Sequence, residues 1–176
     1  MHAVRVAATG ITLAMMFLIT TTIGSFAGAH GAAVMLHSEH LAPVTAPYTG
    51  AANAIRGVPG GGLPWVITRG EIIVLANGEV HARVRGLIID PAASNPKVAG
   101  TNPIPQFKVT VSCLSTDAAG APTTVNASTA PAPATATGDA EIDGMVTLAA
   151  PCLAPVAFIA NGLPAGNGAW FAVNGR

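Results

Sequence analysis

The sequence predicts an all-β protein, an antiparallel β-sandwich of Ig-like or jelly-roll-like kind with about six to eight short strands, and a small β-barrel as the alternative. Three observations predict it. Ala, Gly, Thr, Pro and Val dominate the composition, while Leu and aromatic residues are sparse, a mixture that suits short strands and many turns better than long helices. Short runs in which apolar and polar residues alternate recur along the chain, separated by Gly, Pro and Asn. No helical period is sustained beyond the first thirty or so residues. The 176 residues are enough for one ordinary domain and hardly for two. The reading divides them into a leader at 1–29, a flexible Pro/Gly/Ala-rich arm at 30–62 and a β domain at 63–176.

The leader has three parts. Arg5 supplies positive charge, Val6 to Phe26 carries no charged residue, and ITLAMMFLI forms a compact apolar stretch before Ala27-Gly28-Ala29. That is the layout of a secretory signal peptide with a small-residue cleavage site. An uncleaved membrane anchor is the alternative, because the uncharged run approaches the length that spans a bilayer. Once the signal is removed, no membrane association is expected. Export gives the two cysteines their meaning. Cys113 and Cys152 lie in the exported part, bound for an oxidising compartment, and neither has a neighbouring histidine or a C-x-x-C spacing. A disulfide between them is the natural inference.

Beyond the leader, LAPVTAPYTGAANAIRGVPGGG has repeated Pro and Gly without a period and reads as an extended, mobile arm. Order is expected from Leu63-Pro64-Trp65. In WVITRGEIIVLANGEVHARVRGLIID, Asn77-Gly78 between two β-rich runs predicts a two-residue type I′ hairpin. That turn sets Leu75 opposite Val80, Ile73 opposite Ala82 and Glu71 opposite Val84 on an apolar surface. Val74 then faces His81 and Ile72 faces Arg83 on a mixed one. His81 reads as an ordinary strand residue, with metal ligation as the alternative. In QFKVTVSCLS, Phe107, Val109, Val111 and Cys113 alternate with polar residues, so Cys113 belongs on the buried face. Residues 118–138 form a low-complexity loop with one weak strand near Thr123–Val125, and Asn126-Ala127-Ser128 matches a glycosylation sequon. Strands follow at Ala140–Leu148, Ala154–Ala160 and Trp170–Val173. Trp65 and Trp170 are expected in the core.

Charge and motif exclude several functions. The chain is net neutral and only 9% Asp, Glu, Lys and Arg, so it lacks the basic stripe that neutralises phosphates, and nucleic acid is not an expected partner. G-x-S-x-G, H-E-x-x-H, a P-loop and a dinucleotide fingerprint are absent. Asp139, Glu141 and Asp143 alternate along one strand and would project from one face, as a solvated surface or as a calcium site completed by carbonyl oxygens. In AHGAAVMLHSEH, His30, His37 and His40 lie close together. Cleavage after Ala29 would leave His30 as the first residue, where its α-amine and imidazole could hold one copper ion with His37, His40 or His81 as a further ligand. His37 and His40 could also chelate copper or zinc as a pair. Against that, a Pro/Ala arm does not hold ligands rigidly, and no cofactor is expected.

The segments LPWVITRGEI, VRGLII, GTNPIPQFKVTVSCLS, GDAEI and PCLAPVAFIANG resemble a family of secreted proteins common in high-GC Gram-positive bacteria. The resemblance covers about residues 63–174. It implies a leader peptide and cysteines in these two contexts, and brings no catalytic residues with it. The expected function is that of a secreted, non-enzymatic sandwich that binds an extracellular or cell-surface partner or serves as an envelope component. The alternatives are a copper-binding protein using His30 and an exported hydrolase.

Overall fold

The computed structural model describes residues 31–163 and 168–175. Residues 1–30, on which the expected leader, its expected cleavage site and His30 fall, lie outside the described residues. Twelve strands are present among them: β1 (Val34–Ser38), β2 (Leu41–Pro43), β3 (Trp65–Val66), β4 (Arg69–Leu75), β5 (Glu79–Arg85), β6 (Ile88–Ile89), β7 (Gln106–Thr116), β8 (Pro122–Ser128), β9 (Ala132–Pro133), β10 (Ala140–Met145), β11 (Leu153–Asn161) and β12 (Trp170–Asn174). Eight of these reach five residues or more. A four-stranded sheet has the order β1-β4-β5-β10, and a larger one runs β2-β12-β11-β7-β8 with β9 also on β7. Every strand pair is antiparallel. Each sheet keeps two edges, so the arrangement is an open all-β sandwich and not the alternative closed barrel.

The β4–β5 hairpin corrects the expected register. Its pairs are Val74 with Val80, Ile73 with His81, Ile72 with Ala82 and Glu71 with Arg83, one residue away from the two-residue turn. The loop is Ala76-Asn77-Gly78, with the Gly78 amide donating to the Leu75 carbonyl at 2.9 Å. Only Gly78 of these three has positive φ, at 90°, which fits a three-residue loop closing on a left-handed glycine and not a type I′ turn. Because side chains alternate with period two, the slip turns β4 over relative to β5, so that Ile72 and Val74 replace Ile73 and Leu75 beside Val80 and Ala82. Ile72, Val74, Val80, Ala82 and Val84 are all buried, and the odd-numbered residues of β4, β5 and β10 point outward.

The segment read as a flexible arm is part of the domain. β1 pairs with β4, and β2 pairs with β12, so only Glu39 and His40 separate an edge strand of one sheet from an edge strand of the other. Apolar Leu36 and Leu41 reach the core, and Val44 and Val58 are fully buried. The physical reason is that VMLHS and LAPV carry enough apolar side chains to finish two sheet edges despite the surrounding Pro and Gly.

The same segment covers the middle of the outer surface of the larger sheet, leaving Leu114 and Leu153 exposed at one end. Strand β7 is buried at every position from Phe107 to Cys113, including Lys108, Thr110 and Ser112 on the side away from the sandwich interior. Residues 59–61 run along β12, exchanging hydrogen bonds with Trp170 in both directions. From there the chain reaches across. Arg56 Nη1 donates to the Ser112 carbonyl at 2.9 Å, and the Asn126 amide donates to the Arg56 carbonyl at 3.0 Å. Asn126 of the sequon is thereby engaged, half-buried, beneath the cover. Phe158 and Trp170, 6.2 Å apart, pack on this side of the sheet. Between the sheets, Trp65 stacks on Phe171 at 4.1 Å and meets Phe107 edge-on at 6.4 Å. A disulfide joins Cys113 to Cys152 with a Cα separation of 4.8 Å, tying β7 to the start of β11.

Candidate functional site

The four-stranded sheet has one face in the core and one open to solvent. On the open face, His37, Ile73, His81 and Asp143 form one cross-strand row, and Glu71, Arg83 and Glu141 form the next. Toward the hairpin, Val34 stands beside Leu75, and Met145 beside Glu79. Arg69 and Arg85 are opposed at the other end. A shallow groove of about 220 Å³ lies across β4, β5 and β10, lined by Glu71, Ile73, His81, Arg83, Glu141 and Asp143.

His81 is the most tightly engaged group there. Its Nδ1 lies 2.7 Å from Asp143 Oδ1 and its Nε2 lies 3.1 Å from Glu79 Oε1. Both partners are carboxylates, so the arrangement is completed when both ring nitrogens carry protons. The hydrogen bond to Asp143 raises the His81 pKa above 6.5, helped by the charges of Asp143 and Glu79 and opposed by burial. His37 Nε2 lies 3.4 Å from Glu71 Oε1. Glu141 Oε1 meets Arg85 Nη2 at 3.3 Å and Arg83 Nε at 3.6 Å. Most ionisable side chains of the face are therefore paired across strands, and the pairs are exposed.

Of the residues proposed as metal ligands, His30 lies outside the described residues, and His37, His40 and His81 are dispersed. Ile73 stands between His37 and His81 in the row. His40 lines a separate groove with Glu39 and Arg69. Among the described residues, no group of three or more His, Cys, Asp and Glu side chains could hold a metal ion. Within the acidic trio, Asp139 accepts from the Gly86 amide at 2.9 Å, Glu141 binds arginines and Asp143 binds His81, so each carboxylate has a different partner. Sequence reasoning passed over Glu71, Glu79, Arg69, Arg83 and Arg85. Their signal was the odd-numbered alternation in RGEIIVL and EVHARVR, which the wrong hairpin register had split between two faces. Compared with protein-family models, curated proteins and solved structures, the chain gives no match, and the site is read from its own geometry.

Proposed function

We propose that the protein is an exported, non-enzymatic β-sandwich that acts outside the cell by binding a partner across the open face of its four-stranded sheet. The observation that carries this reading is the difference between the two sheets. The outer side of the larger sheet is covered over its middle by the protein's own residues 51–62, which leave Leu114 and Leu153 exposed at one end, whereas among the described residues nothing covers the outer side of the smaller one around its polar groove. A sheet face bearing Ile73, Leu75, Val34 and Met145 beside ion pairs has the mixed character of a recognition surface, with an apolar part to exclude water and polar groups to fix orientation. The Cys113–Cys152 disulfide fits an oxidising compartment, and among the described residues no helix is long and apolar enough to cross a membrane.

The test is retention of the purified protein on cell-envelope material of the producing organism. Wild type should be retained, and Ile73→Lys, which places a charge in the middle of the face, should lose at least most of that retention. Leu153→Lys, on the other sheet, should keep it. Equal retention of both variants, or none for wild type, overturns the reading.

A further inference from the structure

One end of the open face carries an arrangement that folding alone disfavours. Arg69 and Arg85 are directly opposed in the β4–β5 ladder, at the cross-strand separation where like charges repel. Arg83 rises from the same face of β5, two residues from Arg85. The three arginines line a groove of about 270 Å³ together with Glu71. Nearby acids leave this cationic end unbalanced. Glu141 is shared between Arg83 and Arg85, Glu71 faces His37, and Asp139 accepts hydrogen bonds from the Gly86 amide and the Thr137 hydroxyl. Among the described residues, Arg69 has no ion pair and no side-chain hydrogen bond.

We propose that this end of the face is an anion-binding site, in which Arg69 and Arg85 clamp one oxyanion group of an extracellular polymer and Arg83 adds a third donor. The inference rests on the binding reading above and names the chemistry of the partner. Guanidinium forks match the spacing of phosphate and carboxylate oxygens and bind them in pairs. An anion seated between the opposed arginines converts their repulsion into attraction to a common charge, which accounts for two like charges facing each other on adjacent strands. The groove is open at the surface, so the group it takes can be one unit of a longer chain.

The test is calorimetric titration and thermal melting of the exported protein at low salt, where surface charge is least screened. One arm uses sodium tripolyphosphate, and the other a galacturonic acid oligomer of matched charge, so that a phosphate source is told from a carboxylate one. At least one should bind and raise the melting temperature. Arg69→Gln and Arg85→Gln should each weaken that binding roughly tenfold. Without anion, Arg69→Gln should melt at the wild-type temperature or higher, because a repulsion has been removed. Binding of neither probe, equal binding by the variants, or a lower anion-free melting temperature for Arg69→Gln overturns the inference. Envelope retention separates the two readings. If wild type and Arg69→Gln are retained equally while neither probe binds, only the anion site falls. If a probe binds through the arginines but wild type is not retained, only the envelope reading falls.

Discussion

At the scale of single residues, His81 gives the most direct pH prediction. Its folded-state pKa is raised above 6.5 by Asp143. The stabilisation it brings is therefore fully present below pH 6.5 and is lost as pH rises through the raised value. Asp143→Asn should bring the pKa, followed by NMR of the imidazole protons, back toward 6.5 and flatten the stability profile over that window. The cysteine pair was legible in the sequence because two cysteines without a third leave one partner each. The His81–Asp143 contact was not, since those residues are brought together by pairing of β5 with β10, strands separated by the whole of β6 to β9.

Among elements, the strands that alternate cleanly were readable. QFKVTVSCLS became β7, and the runs around Ile142, Phe158 and Phe171 became β10, β11 and β12 close to where alternation placed them. Register was not readable, because Asn-Gly is compatible with a two-residue loop and with a three-residue loop closing on glycine. Gly78 now carries a specific expectation. Its φ is positive, and a Cβ there would run into the Val146 carbonyl oxygen, so Gly78→Ala should destabilise by about 2 kcal/mol or more in urea unfolding. Strands β1 and β2 were hidden by the Pro and Gly around them, and their partners lie too far along the chain for local pattern to reveal. Val44→Ala distinguishes the two pictures. A mobile arm would tolerate it, whereas removal of two methyl groups from a fully buried site should cost about 2 kcal/mol.

For the molecule as a whole, the disulfide and the covering segment act on the same sheet. Cys113 and Cys152 are 39 residues apart, and closing that loop in the unfolded chain is worth roughly 4 kcal/mol in the chain-entropy account. Unfolding free energies extrapolated from urea titrations with and without reductant should differ by about that amount, and a difference near zero would show that the cross-link adds no stability. The open face of the smaller sheet should respond little, because β4, β5 and β10 are held by their own ladder hydrogen bonds and the core beneath them.

The two-residue step at Glu39-His40 has a kinetic consequence. It places the start of the described chain on both sheets at once, yet β2 finds its partner only when β12 arrives, with Pro43 and Ala172 about 130 positions apart. Such distant pairing makes folding slow, because the larger sheet cannot close until residues about 130 positions downstream of β2 are available.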